Sequence, residues 1–318
     1  MAKYRDNLPQ ANGGTFLSDG GMETTLIFHD GVDLPHFASF VLLETADGRR
    51  RLKAYFEKYL HMARERRVGF VLDSATWRAN PDWGSKLGYD AAGLEAINRA
   101  SIEMLEELRA EWEAPGTPCV ISGVIGPRGD GYKAGKMNAA EAEAYHAPQI
   151  AAFAATNADL VSGYTLTNID EAIGIARAAR AHSMPCMISF TVETDGRLVT
   201  GRTLRDAIET VDRETDGYPA YFMVNCAHPT HFMPALESGQ RWMNRVRGVK
   251  ANASSKSHQE LDESETLDAG DPADLGRRYQ ALRRQFPTMR ILGGCCGTDH
   301  THIGAICEAC LPPRAIVA

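Results

Sequence analysis

Gly293-Gly294-Cys295-Cys296-Gly297-Thr298 sets two adjacent cysteines between glycines. Neighbours on a strand point to opposite faces, so core packing does not explain the pair. Glycine frees the backbone to turn until both sulfurs face one point. Such a pair suits a metal or redox site, with a vicinal disulfide as the plainer alternative. A closed thiolate set needs a third sulfur, and Cys226 in Val224-Asn225-Cys226-Ala227-His228-Pro229 is the candidate. Three thiolates converging from two strand ends match a catalytic zinc site, which keeps one coordination position open. Their wide separation in sequence is unlike a zinc finger, whose ligands come in close pairs.

Other predicted strand ends carry polar chemistry of their own. Ser18-Asp19-Gly20-Gly21-Met22-Glu23-Thr24 offers a carboxylate and exposed backbone N–H groups to a small zwitterionic ligand, although ordinary turns share this composition. Asp73, Thr76 and Trp77 close the second strand, where the indole serves as rim, as core or as a face for a cationic ligand. Gly126-Pro127-Arg128-Gly129-Asp130-Gly131-Tyr132 reads as an unspecific loop. Cys119 and Cys186 fall inside apolar runs and read as small hydrophobes. Cys307 and Cys310 read as structural residues of the last helix, with a metal or redox pair as the alternative. His300 and His302 read as solvated residues at a helix start, with a fourth-ligand role as the alternative. His228 is either a donor behind the metal ligands or a turn residue.

These residues need a frame that brings distant strand ends together. Apolar runs predict strands at Thr15–Asp19, Phe70–Thr76, Cys119–Ile125, Leu160–Leu166, Pro185–Val192, Tyr221–Cys226, Val246–Ala251 and Arg290–Cys295. Most lack polar alternation, as in strands buried on both faces of a parallel sheet. Between them, Asp90 caps a helix with Leu94, Ile97, Ser101, Leu105, Leu108 and Trp112 in steps of three and four, Ser101 being the one small polar exception. Asn138–Asn157, Ile169–His182, Thr203–Thr215 and Asp271–Phe286 share that period, and a last helix begins near Asp299. Glu171 reads as a surface residue of its helix. Eight strands, each followed by a helix candidate, predict a single-domain α/β protein, a (β/α)8 TIM barrel over residues 1–318. An open doubly wound sheet is the alternative. In a barrel the ends of strands six and eight are near neighbours at the mouth. Asn252–Gly270 is the one long non-periodic stretch and reads as a solvated acidic loop or a lid.

Composition limits the classes of function. Lysine and arginine total 34 against 41 acidic residues, so no electrostatic footprint for nucleic acid or an anionic membrane is visible. With 44% hydrophobic and 24% charged residues, a disordered or fibrous chain is excluded. Met1 to Gly14 lacks the apolar stretch of a secretory signal, and no segment reaches the ~18 apolar residues of a membrane span. A soluble cytoplasmic protein is expected. Seven cysteines cannot all pair, and reduced thiols in a cytosolic setting are expected.

Taken together, Asp19-Gly20-Gly21-Met22, Asn225-Cys226 and Gly293-Gly294-Cys295-Cys296-Gly297-Thr298 resemble the homocysteine S-methyltransferase family. That family includes S-methylmethionine- and betaine-dependent enzymes and the homocysteine module of cobalamin-dependent methionine synthase. The resemblance runs from Asp19 to the last helix. It implies a barrel in which Cys226, Cys295 and Cys296 hold Zn2+ and the thiol of homocysteine takes the fourth position. It further implies methyl transfer from an onium donor, S-methylmethionine or S-adenosylmethionine, giving methionine. Asp19, Gly20, Gly21, Tyr164, Trp77 and Asn252 would line the substrate pocket. The implied partners are a small-molecule thiol acceptor and a methyl donor.

Two features depart from the family pattern. A Glu that binds the acceptor's amino group usually ends the fourth strand, and Tyr164 stands in its place. A neutral phenol accepts a hydrogen bond from an ammonium but supplies no opposite charge. Glu171 or Glu193 is then the stand-in. The aromatic loop after strand three is shortened to Gly131–Met137, and Trp77 replaces a Tyr. Ala251-Asn252-Ala253 replaces Pro-Asn-Ala/Ser, with Asn252 kept. Other readings keep the fold and zinc but change the acceptor to a different thiol or selenol, or make the chain a non-catalytic zinc- or redox-sensing barrel.

Overall fold

The structure is a computed structural model that describes residues 2–264 and 266–311; the outermost residues of the expected 1–318 domain lie outside the described residues. Its strands are β1 (Phe16–Leu17), β2 (Gly69–Asp73), β3 (Cys119–Ile125) and β4 (Leu160–Leu166). The second half adds β5 (Cys186–Phe190), β6 (Tyr221–Asn225), β7 (Val246–Ala251) and β8 (Ile291–Gly294). They close in chain order into one parallel barrel, with β1 paired to both β2 and β8. The two faces of β3 show why its run is apolar throughout. Val120 and Val124 pack in the lumen with Phe16, Leu160 and Met187, while Cys119, Ile121 and Ile125 join the cluster beneath the helices.

The long helices are α1 (Ala46–Arg66), α2 (Ala91–Trp112), α3 (Ala139–Ala154) and α4 (Ile169–Ala181). They continue with α5 (Leu204–Glu214), α6 (Pro272–Gln285) and α7 (His300–Cys310). Side chains cap them as their residue types dictate. Asp90 accepts from the Gly93 amide at 2.8 Å, and Asn138 with Glu141 forms a reciprocal capping box on α3. After β6 the repeat is reduced to one helical turn, Pro229–Phe232, followed by short 3-10 turns. Among the described residues no helix is long and apolar enough to cross a membrane.

Five of the eight strands are shorter than the apolar runs, while β3, β4 and β7 match them. β1 keeps two ladder residues, and β2 stops at Asp73, so Thr76 and Trp77 belong to the loop that follows. β6 and β8 end at Asn225 and Gly294. Cys226, Cys295 and Cys296 therefore sit in the turns that leave the mouth. The Cys226 and Cys295 amides still bond β7, to Lys250 O at 3.0 Å and Ala251 O at 2.8 Å, before the chain turns away.

Candidate metal centre

The turns after β6 and β8 bring Cys226, Cys295 and Cys296 together, with all three sulfurs within 4.8 Å of one another. Gly294 permits this packing, since a Cβ there would lie 2.1 Å from Thr298 Oγ1, and Gly297 adopts φ +78°. Cys226 and Cys295 are joined as a disulfide, with Cα atoms 5.4 Å apart, and Cys226 Sγ lies 3.9 Å from Cys296 Sγ. The expectation of reduced thiols and the vicinal-disulfide alternative are both corrected here. The bond links two strand ends rather than the adjacent cysteines, and not every thiol is free. Cys296 keeps solvent access, yet its crowded surroundings push its thiol above the ordinary value.

The donor set fits a zinc ion once the disulfide is reduced. Tetrahedral thiolates about 2.3 Å from zinc stand roughly 3.8 Å apart, a spacing these turns already hold between Cys226 and Cys296. Among the described residues this is the one cluster of three or more potential ligands.

Asn225 clamps the turn from below. Its Oδ1 accepts from the Thr165 amide at 2.9 Å and the Ser189 hydroxyl at 2.6 Å. Its Nδ2 donates to Thr165 Oγ1 at 2.9 Å and approaches Cys295 Sγ at 4.0 Å. The ladder between β4 and β5 shifts register beside Thr165, which adopts φ +62°, and Cys226 adopts φ +52°. Left-handed non-glycine residues cost about 1–3 kcal/mol each and persist only where neighbours over-determine them. Asn225→Ala leaves the Thr165 groups and Ser189 without their buried partner. We expect a loss of about 2–3 kcal/mol in urea unfolding; a change below about 0.5 kcal/mol would mean that other contacts hold the turn. Asn252 supports the same turn, donating from Nδ2 to Cys226 O at 3.1 Å, while its buried Oδ1 has no partner among the described residues.

The floor of the mouth is charged. Lys250 on β7 donates to Asp19 Oδ1 at 2.6 Å and to Asp73 Oδ2 at 3.0 Å. Tyr55 on α1 donates to Asp19 Oδ2 at 2.9 Å. Burial pushes the Asp19 carboxyl above its ordinary value, against the pull of Lys250. Burial also works against the Lys250 ammonium, but the two carboxylates outweigh it and hold its proton more tightly than usual. Asp19 is thus committed to the lysine, and the Gly21 amide is committed to Thr298 O at 3.0 Å and Thr298 Oγ1 at 3.1 Å. The opening motif is a brace in this structure, not the exposed carboxylate and amide cradle expected of it.

Tyr164 points into the lumen and donates to Asp73 Oδ2 at 2.9 Å, with burial holding its phenol protonated. Glu171 is buried, not on the surface: it accepts from the Arg128 amide at 2.6 Å and lies 2.9 Å from His146 Nε2. It pins the loop after β3. Glu193 lies in the turn after β5, where its amide bonds Arg197 O at 2.7 Å. Trp77 donates to Tyr164 O at 3.4 Å and carries the Arg78 guanidinium 4.4 Å from its ring centroid. Arg78 also lies 3.6 Å from the Trp83 ring. One face of Trp77 is therefore already occupied by a cation.

Two residues over the thiols escaped the sequence reading. Tyr132 OH lies 3.6 Å from Cys296 Sγ, and its ring stacks on His258 at 4.2 Å. His258 Nε2 is anchored 3.4 Å from Thr191 Oγ1 and 3.2 Å from Val192 O. The 252–270 stretch thus contributes His258, stacked on the residue that approaches Cys296. An aromatic at the end of a glycine-rich loop was the only available signal for Tyr132.

Of the remaining candidates, Cys119, Cys186 and Cys307 are buried, and burial pushes each thiol up to about 12. His300 is exposed as expected. His302 is not solvated: it is buried between Asp299 Oδ1 at 2.8 Å and Ala269 O at 2.7 Å. His228 caps the Pro229–Phe232 turn, and burial together with nearby Arg278 and His231 pushes it down from 6.5 to about 4. The folded chain then binds fewer protons than the unfolded chain, so this stability is present above pH 6.5 and is lost as pH falls toward 4. The effect is on the order of 1 kcal/mol, or roughly 2 °C in Tm. His228→Asn keeps a capping side chain and should flatten that part of the Tm profile; parallel profiles for both proteins would contradict it.

The homocysteine S-methyltransferase family profile matches residues 16–310. Three crystal structures of the Escherichia coli homocysteine methyltransferase MmuM are similar to this chain. The oxidised form superposes with a TM-score of 0.73 at 22% identity, covering 92% of this chain and 95% of that one. The metallated form gives 0.71 at 23% identity, with 95% and 99% covered. The apo form gives 0.63 at 25% identity, with 93% and 96% covered.

Proposed function

Because the chain belongs to the homocysteine S-methyltransferase family, we propose that it moves a methyl group from an onium donor, S-methylmethionine or S-adenosylmethionine, to the thiol of homocysteine, giving methionine. The observation that carries this reading is the convergence of three cysteine sulfurs at the mouth of a family barrel. Cys226, Cys295 and Cys296 would hold Zn2+. Zinc bound there supplies a deprotonated acceptor sulfur at neutral pH, where a free thiol is mostly protonated.

The transfer itself balances simply. The acceptor thiol loses a proton to solvent, its sulfur forms a bond to the methyl carbon, and the carbon–sulfonium bond breaks. That bonding pair stays on the leaving thioether. No general base is needed at the methyl group, so the protein's contribution is proximity and alignment. Tyr132, stacked on His258, packs against Cys296 at the mouth, and Asn225 with Thr165 fixes the turn below the sulfurs. Asn252 braces Cys226, and Tyr164, Trp77, Asp19, Gly20 and Gly21 shape the surrounding floor and rim. The partners are small molecules, and a cytoplasmic setting keeps the cysteines reduced.

The test is direct. Reduced, zinc-supplemented protein is incubated with homocysteine and methyl-labelled S-methylmethionine or S-adenosylmethionine, and labelled methionine is followed by mass spectrometry. Label in methionine from either donor supports the reading; none from both, with zinc bound, overturns it. A second reading changes the acceptor to a thiol or selenol without a bound amino group, and it rests on the neutral Tyr164. Faster methylation of such a thiol than of homocysteine favours it.

A further inference from the structure

Asp73 Oδ1 is buried at the barrel mouth with no hydrogen-bond partner among the described residues. A buried carboxylate oxygen carries an unmet desolvation cost until something donates to it. Its companion Oδ2 is fully engaged, accepting from Tyr164 on β4 and from Lys250 on β7. The side chain is therefore reached from two other sides of the barrel and lies in the lumen. Strand register sets Lys250 beside Asn225 and Gly293, one residue before Cys226 and two before Cys295. At about 3.3 Å per strand residue, the charged floor lies about 3–7 Å beneath the thiols. One ammonium there faces two carboxyl groups, Asp19 and Asp73. The arrangement has room in its charge for a second cation.

Resting on the thiol-methylation reading, we propose that Asp73 is a specificity-determining residue whose Oδ1 receives a primary ammonium carried by the acceptor thiol. The carboxylate missing from β4 is then supplied from β2. Tyr164 and Lys250 are positioning residues that hold Oδ2 and leave Oδ1 to the ligand. The three carbons between sulfur and nitrogen in homocysteine match the depth from thiols to floor.

Calorimetry on the reduced, zinc-loaded protein tests this with L-homocysteine and 4-mercaptobutyrate, which lacks the amine. The wild type should bind homocysteine at least 10-fold more tightly, on the order expected of a charge-assisted hydrogen bond. Asp73→Asn places an amide where the free oxygen lies, and should weaken homocysteine about 30-fold while moving 4-mercaptobutyrate less than about 3-fold. Equal or tighter wild-type binding of the amine-free thiol overturns the proposal, even if the variant fails to fold. So does a homocysteine preference that survives in Asp73→Asn. Failure of both thiols to bind the wild type overturns the proposal together with the functional reading. An Asp73-dependent preference without any methyl transfer supports the proposal and overturns the functional reading alone.

Discussion

Cys296→Ala lowers methyl transfer to homocysteine by at least about a thousand-fold while leaving the barrel folded. A free thiol with a pKa near 8.5 is only about 3% thiolate at pH 7, so losing metal activation alone costs about 30-fold. Misplacement of the acceptor sulfur removes a further large factor, because proximity and alignment supply most of such a transfer. Cys296 is the informative choice of the three. It stands outside the Cys226–Cys295 bond and at the solvent edge, so its truncation removes little packing. Thermal unfolding should shift by no more than about 1 kcal/mol, the range of ordinary surface substitutions. Initial rates with labelled donor decide the matter, and a variant with wild-type rates would remove Cys296 from the site.

Lys250→Met destabilises the protein by about 3–5 kcal/mol, the usual cost of stripping the partner from a buried ion pair. The lysine serves two carboxylates at once, and all three side chains are almost fully buried. Without it, Asp19 and Asp73 face each other in the lumen with no cation. The urea midpoint of the single variant measures the loss. The triple variant Lys250→Met, Asp19→Asn, Asp73→Asn should recover most of it, since no uncompensated charge remains. A single variant within about 1 kcal/mol of wild type, with no recovery in the triple, would show that water already reaches the floor.

The parts of this fold that were legible in the sequence were those with local signals. Strands buried on both faces leave uninterrupted apolar runs, so β3 and β4 carry the same residue bounds in the structure as in the sequence reading. Two cysteines between glycines cannot be core, and that local oddity marked the turn after β8. What stayed hidden was assembled from distant strands. Lys250 meets Asp19 and Asp73 across separations of 231 and 177 residues, and no spacing announces such a contact. Tyr164 looked like a lost charge because its partner lies on β2. Glu171 sits near the start of its helix, and the loop folding back from β3 together with His146 on α3 buries it. The vicinal alternative for Cys295 fails for a related reason. Chain neighbours in a tight turn need not be the closest sulfurs, and the turn after β6 supplies the nearer one.

The most direct measurement is zinc K-edge X-ray absorption on the reduced protein, with and without homocysteine. One zinc per chain with three sulfur neighbours at about 2.3 Å, rising to four when homocysteine is added, is the result expected of Cys226, Cys295 and Cys296 acting together. A reduced protein that methylates homocysteine at full rate without zinc, or whose zinc gains no sulfur from homocysteine, would contradict it.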